Sequence, residues 1–362
     1  MNKNFSNKLL NWYQKTKRKL PWRGVSDPYK IWLSEIIMQQ TQIKQGTSYY
    51  LKILDAFPTV IELAEAEQDE LLVLWQGLGY YSRARNMHES AKYVVEELNG
   101  IFPKSYKQLI KLKGVGDYTA SAISSIENNE LRPALDGNLL RVFTRLFGIE
   151  APIDKASGKR LVKEKAQKYM PADRPGDYNQ ALMDFGASVC CPKKPNCQNC
   201  LFNTDCIAFQ TGKVLQLPVK SSKIKKTTRY IHYFLIQSEG ETPKSVIRKR
   251  TGNGIWRGLY DFISLEYFQK TDELNVISDF HSKYPGTKNE SINFVSKEYK
   301  QELSHQKLYV RFYALVLPSK EVNAILKAES STKTVDKDEF STTPFPQLLN
   351  KFLLENEENV FS

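Results

Sequence analysis

Four of the chain's five cysteines, Cys190, Cys197, Cys200 and Cys206, fall inside one stretch of 17 residues with the spacing C-x6-C-x2-C-x5-C. Four thiolates gathered by so short a loop satisfy either one tetrahedral ion or the corners of one iron-sulfur cube, so the segment is expected to fold around a metal centre. Disulfides are the duller alternative, and nothing else in the chain points to secretion. Zinc is the serious competitor. Structural zinc sites usually pair two tight C-x2-4-C knuckles or recruit histidines. This run holds one tight pair, and His88, His232, His281 and His305 are all distant in sequence. The pattern favours an iron-sulfur cluster. Cys191 sits beside Cys190 and leaves the first ligand open between the two; the spacing to Cys197 selects Cys190.

A chain of 362 residues with 41% hydrophobic content has material for more than one core. The first 20 residues are polar and Lys-rich, without the apolar centre of a signal peptide, and no later apolar run approaches membrane-spanning length. A soluble cytosolic protein without membrane association is expected. The net charge of +12 points toward polyanions, weakly by itself. Its distribution says more. The first 30 residues carry eight Lys or Arg against the single Asp27, and residues 213–229 carry six with no acid. For most of these side chains a solvated surface is explanation enough.

From Asp27 to about Gly148 the chain reads as consecutive helices punctuated by Gly and Pro. Asp27-Pro28 looks like a cap followed by proline in the first turn, and Phe57-Pro58-Thr59 starts another helix. Helical stretches at 155–170 and 177–189 lead into the cysteine loop. Residues 213–229 then read as a basic interdomain linker. Strand signals follow at 230–236, 245–247 and 307–317, so residues 230–362 are expected to form an α+β domain. The polar stretch 328–343 reads as a surface loop.

Leu112-Lys113-Gly114-Val115-Gly116 precedes an apolar-periodic helix opening at Asp117, the pattern of a helix-hairpin-helix. Glycines let backbone N–H groups approach a phosphate at a helix N-terminus, where unpaired donors and the helix dipole favour an anion. Such a contact positions a duplex without reading its sequence. An ordinary glycine turn would look the same.

The hairpin, then Leu135-Asp136-Gly137-Asn138, then the cysteine cluster resemble in order and spacing the endonuclease III superfamily of DNA glycosylases. Within it, Leu20-Pro21-Trp22-Arg23, the run Trp32 to Gln42 and the run Gly77 to Asn86 are similar to the adenine DNA glycosylase (MutY) family. The similarity spans about residues 5–220. It implies an all-α helix-hairpin-helix glycosylase region over 1–212, with a six-helix barrel at about 26–135. The N-terminal segment and 136–212 would form an iron-sulfur module whose loop, 190–206, carries a [4Fe-4S] cluster. The resemblance also implies double-stranded DNA as partner, a monomer, and a nucleoid-associated location in a bacterium.

Glu35 lies in the apolar run Ile31 to Met38, so burial would raise its pKa and keep a proton for a departing base; otherwise it would mark the wet side of an amphipathic helix. An Asp before Gly, as at Asp136, is ordinarily a turn residue or a cap. The resemblance instead implies that Asp136 supports the cation forming at the sugar C1′, with Asn138 holding it, in the manner of paired carboxylates in glycosidases. Bifunctional relatives carry a Schiff-base lysine where this chain has Tyr118, and a phenol forms no Schiff base. A monofunctional glycosylase is expected.

Base-acting enzymes flip their target and need a plug for the gap. Gln39, Gln40 and Tyr80 are candidates, and Arg23, Thr41, Leu78, Arg83, Arg85, Gly114, Val115 and Gly116 are expected near DNA by the same resemblance. Asn253 to Phe262 resembles the W-G-G-L-W-E-F segment of the family's Nudix-like domain, without the R-E-x-x-E-E box that binds the metal of Nudix hydrolases. Leu303-Ser304-His305 resembles the family's F-S-H lesion-sensing loop, with leucine in place of phenylalanine. Ser304 both donates and accepts, and could sense the N7–H of 8-oxoguanine. The implied activity is removal of adenine paired with 8-oxoguanine or guanine. Rival readings are a thymine/guanine mismatch glycosylase, a lyase acting on oxidised pyrimidines, and a non-catalytic iron-sulfur DNA-binding protein gripping phosphates through Lys193 and Lys194.

Overall fold

The computed structural model describes residues 4–221, 226–287 and 292–360. Helices come first: α1 (Asn4–Thr16), α2 (Pro28–Met38), α3 (Ile43–Ala56), α4 (Val60–Glu65), α5 (Gln68–Leu74), α6 (Ser82–Leu98), α7 (Tyr106–Leu109), α8 (Asp117–Glu127), α9 (Gly137–Phe147), α10 (Ala156–Lys168), α11 (Pro175–Ser188) and α12 (Ile207–Gln210). Strands follow: β1 (Thr227–Ser238), β2 (Ser245–Lys249), β3 (Tyr260–Asp261) and β4 (Ile263–Tyr267), then α13 (Glu273–Lys283). After these come β5 (Ile292–Val295), β6 (Tyr299–Glu302), β7 (Gln306–Leu317), α14 (Ser319–Ala328), β8 (Thr332–Val335) and α15 (Gln347–Glu355). Two compact units result. One comprises residues 1–65 and 86–223, the other 66–85 and 224–362. Among the described residues no helix is long and apolar enough to cross a membrane.

Local chemistry starts the helices where the sequence suggests. The Asp27 carboxylate accepts from the N–H groups of Tyr29 and Lys30, with Pro28 in the first turn of α2. Thr59 and Glu62 form a reciprocal cap at α4. In the first unit, Phe5, Leu9, Leu10 and Tyr13 of α1 pack on apolar residues of α9 and α11, and Phe202 of the cysteine loop completes that core. The N-terminal helix and the loop thereby share one interior, worth roughly 1.5–3 kcal/mol per fully buried large side chain.

In the second unit β1 and β7 run parallel over their whole lengths, from Thr227 opposite Gln306 to Ser238 opposite Leu317. The C-terminal halves of both strands are covered on both faces. Ile231, Tyr233 and Leu235 face α15 through Phe352, while Phe234 and Ile236 face α13 and α14 through Phe280 and Val322. The period-two alternation of a strand decides which residues serve which layer.

Two stretches differ from the sequence reading. Residues 328–343, expected as loop, contain β8, which pairs antiparallel with β2 and buries Val335. Cross-strand hydrogen bonds carry this polar segment where its side chains give little hydrophobic signal. Residues 213–221, expected as part of a linker, fold onto the first unit. Leu217 is buried, Ile153 N–H donates to the Val219 carbonyl at 3.0 Å, and Asp154 accepts from Ser221. Residues 222–225 of the expected linker lie outside the described residues.

Candidate active site

Glu35 sits on α2, whose other faces are taken up by buried Ile31, Trp32, Leu33, Ile36 and Ile37. The helix therefore holds the carboxyl against protein, and burial pushes its pKa up to about 7. A hydrogen bond with Tyr118 and the charge of Arg23 oppose the shift, and nearby Asp136 adds to it. Near neutral pH such a carboxyl holds a proton part of the time, the condition for a general acid. Tyr118 opens α8. Burial, with Glu35 and Asp136 close by, pushes its phenol well above the usual range, so it stays a neutral hydroxyl. That hydroxyl also lies 3.7 Å from Met183 Sδ on α11.

Asp136 is the N-cap of α9. One carboxylate oxygen accepts from Leu139 N–H at 2.7 Å and the other from Asn138 Nδ2 at 2.6 Å. Burial raises its pKa, opposed by these donors and by Arg141. The donors and the helix dipole all favour an anion, the form needed beside a developing cation. Behind them runs a ladder that the sequence does not announce. Arg141 donates to Asn138 Oδ1 at 2.8 Å, to the Gly186 carbonyl at 2.6 Å and to the Cys190 carbonyl at 2.7 Å. At Gly186 α11 passes tightly against Asn138: an added Cβ would stand 2.5 Å from Asn138 Cβ and 3.0 Å from its Cα.

Arg23, expected at DNA, is clamped in the first unit. Its guanidinium meets Asp184 through bonds of 2.6 and 2.8 Å and lies over the Tyr13 ring. Arg18 grips the same carboxylate, which is only 3% exposed. Burial would raise the Asp184 pKa, but the two arginines pull it below the ordinary value. Gln40 follows α2 in a left-handed conformation, φ 58°, and is exposed, while Gln39 donates to Thr119 on α8. Thr41 N–H returns to the Met38 carbonyl.

At the hairpin Gly114 has φ 79°, which favours glycine, and Gly116 caps α8. Val115 turns its side chain inward and its N–H to the Leu112 carbonyl, so it anchors the turn.

Cys190, Cys197, Cys200 and Cys206 line one cavity; Cys191 does not, and its thiol faces the Ala187 carbonyl. Burial pushes the Cys200 thiol up to about 11 and raises Cys197 and Cys206. Buried Arg145 reaches into the loop, contacting Cys190 Sγ at 3.4 Å and the carbonyls of Cys191 and Pro192 at 2.8 and 3.0 Å. Among the described residues no group of three or more His, Cys, Asp or Glu converges closely enough to hold a single metal ion.

The second unit contains a cleft of about 450 Å³ lined by the loop 77–82, Trp256 and residues 301–305. Tyr80, at φ 48° and 42% exposed, shares a hydrogen bond with Ser304. His305 is exposed at the rim, and its carbonyl accepts from Thr227 N–H. Leu303 packs against the unit's own core, beside Ile255 and Trp256. Arg83, expected near DNA, turns inward. It is 9% exposed, lies over Trp75, and donates to the Leu78 and Gly79 carbonyls at 3.4 and 3.2 Å. Burial lowers its pKa to about 10; it braces the loop from inside. The Leu78 N–H turns back to the Trp75 carbonyl.

Residues 33–171 match the family described as HhH-GPD superfamily base excision DNA repair protein. The chain is 35% identical over 332 residues to the adenine DNA glycosylase of Buchnera aphidicola subsp. Baizongia pistaciae, covering 91% of this chain and 90% of that one. It is 40% identical over 226 residues to the adenine DNA glycosylase of Mus musculus, covering 59% and 44% of the two chains. A solved thermostable thymine-DNA glycosylase superposes with a TM-score of 0.53 at 27% identity, covering 58% of this chain and 96% of that one.

Proposed function

This chain belongs to the adenine DNA glycosylase family of the HhH-GPD superfamily, enzymes of base excision repair acting on DNA, and from that membership we propose how its residues divide the work. The substrate is duplex DNA with adenine opposite 8-oxoguanine or guanine. The observation that carries this reading is a buried Glu35, raised to about 7 and hydrogen-bonded to Tyr118, with Asp136, held by two donors, close enough to add to that shift.

Glu35 passes its proton to N7 of the flipped adenine. The C1′–N9 bond then breaks with its electron pair leaving on the base. Asp136 stabilises the cation at C1′, held by Asn138 and the cap bond from Leu139. Water adds its oxygen to C1′ and returns a proton to Glu35. Tyr118 orients the carboxyl and the water. With no lysine at this position the strand is left abasic and uncut. Gln40 fills space vacated by the flipped base, Tyr80 inserts beside the opposite purine, the hairpin holds phosphate through the N–H groups of Gly114 and Gly116, and Arg23, tied to Asp184, shapes the base pocket. The second unit, a Nudix-like domain by its expected role, reads the opposite purine through Ser304 and His305.

Cys190, Cys197, Cys200 and Cys206 would hold a [4Fe-4S] cluster. The four thiols line one cavity and keep the C-x6-C-x2-C-x5-C spacing of the cluster loop in the family that the chain resembles, which supports that reading over zinc. Bound there, the cluster would cross-link the loop and supply no open coordination position. Full-length protein should then carry iron and acid-labile sulfide in equal amounts, lost in Cys200→Ser together with DNA affinity; zinc in their place would refute the cluster.

The reaction is tested by single-turnover incubation with adenine opposite 8-oxoguanine, followed by alkali and, separately, by borohydride trapping. Alkali-dependent strand breaks without a trapped complex are expected. A trapped lysine adduct would overturn the monofunctional assignment.

A further inference from the structure

In sequence, residues 66–85 interrupt the glycosylase match at 33–171, yet they pack with the C-terminal unit. Three polar pins tie them to it. At the start of α5 the Asp69 carboxylate accepts from Lys249 Nζ at 2.9 and 3.0 Å and from the Tyr260 hydroxyl at 3.2 Å. Past its end Gln76 donates to the Thr343 carbonyl at 3.1 Å, and beyond the loop Arg85 donates to the Arg257 carbonyl. The glycine loop bearing Tyr80 hangs between the second and third pins. Its left-handed residues, Gly77 at φ 95°, Gly79 at 72° and Tyr80 at 48°, give it no regular ladder of its own.

We propose that the Asp69 clasp, formed with Lys249 and Tyr260, is a specificity-positioning element that fixes the Tyr80 loop against Ser304 so that both meet the same purine. The proposal rests on the reading of the second unit as the sensor of the base opposite adenine. Asp69 and Lys249 are about one-third exposed, and ion pairs of that exposure add little to global stability. Their geometry is nonetheless specific. The carboxylate takes two donors, and the Lys249 ammonium also lies 5.2 Å from the centre of the Tyr260 ring. A clasp of this kind places α5 more than it holds the fold together. Neither residue touches the groups assigned to the chemistry, so its loss should spare adenine removal itself.

The test uses full-length protein with the substitutions Asp69→Asn, Lys249→Met and Lys249→Arg. Single-turnover excision is measured opposite 8-oxoguanine and opposite guanine, with hydrogen exchange followed across residues 66–85. In Asp69→Asn and Lys249→Met the 8-oxoguanine-to-guanine rate ratio should fall about 10-fold, as misplacement of a contact by a fraction of an ångström would cause. The guanine rate should hold, and exchange at 77–80 should quicken. Lys249→Arg should restore the ratio. Equal slowing on both duplexes would mark a merely structural pair and overturn the proposal. A preference that survives Lys249→Met would overturn the clasp alone, whereas wild-type protein with no preference would overturn the sensor reading and the clasp's role with it.

Discussion

Around Asp136 the polar partners Asn138 and Leu139 stand two and three residues away, whereas the partner of the Tyr80 hydroxyl, Ser304, stands 224 residues away. The first region is a helix cap backed by Arg141 and closed by α11 at Gly186. Its carboxyl groups are desolvated and their titration is shifted. The second is an exposed pair of hydroxyls on loops, one in a strained backbone conformation. A site that stabilises a transient charge gains from fixed dipoles in a dry setting, because little reorganisation is left to do when the charge appears. A site that reads a base edge must release one hydrogen bond to make another. Hydroxyl pairs at a surface do this at small cost.

Glu35→Gln is the sharpest way to break the contrast. It should lower single-turnover adenine removal by about 10²–10⁴-fold, the range for loss of a general acid, while binding of intact duplex persists. A variant that kept its rate would move the proton donor elsewhere. Gly186→Ala comes next. The new Cβ must displace Asn138, so excision should fall on the order of 10²-fold on both duplexes. Urea unfolding should show a loss of roughly 1–3 kcal/mol from overpacking. Unchanged kinetics would mean that Asn138 does not position Asp136.

On the other side of the comparison, Tyr80→Phe and Ser304→Ala each remove one net hydrogen bond. They should change only the 8-oxoguanine preference, by about 2–10-fold; a matching loss opposite guanine would erase the distinction between the regions. The smallest effect is on stability. Glu35 is raised from 4.5 to about 7 in the folded chain, so its protonated form contributes stability that is fully present below 4.5 and lost as pH rises through about 7. Glu35→Gln should therefore gain melting temperature relative to the parent at pH 8 and not at pH 4. The excision rate of the parent should decline over the same upper window.

The contrast also explains what could be read from residues alone. Asp27-Pro28, the glycines at 114 and 116, and the clustered cysteines carry their meaning within a few neighbours, and the structure builds a helix start, a hairpin and a cysteine-lined cavity from them. Arg145, Arg141 and Asp184 have no such local mark. Each is a charge in a helix with at least one partner that arrives from 45 or more residues away. Apolar flanks give Glu35 away, but nothing local distinguishes buried Arg83 from half-buried Arg85, and their roles separate only when Trp75 folds beneath the loop. The same limit hid β8, whose pairing with β2 comes from backbone bonds, and the attachment of 66–85 to residues past 248.

The most direct measurement is single-turnover excision by the parent and Glu35→Gln on three duplexes, with adenine opposite 8-oxoguanine, adenine opposite guanine and thymine opposite guanine, developed with and without alkali. The expected result is alkali-dependent cleavage at adenine, fastest opposite 8-oxoguanine and lost in Glu35→Gln. Adenine removal that survives in Glu35→Gln, or thymine removal at comparable rate, would contradict the assignment of the proton donor or of the base it serves.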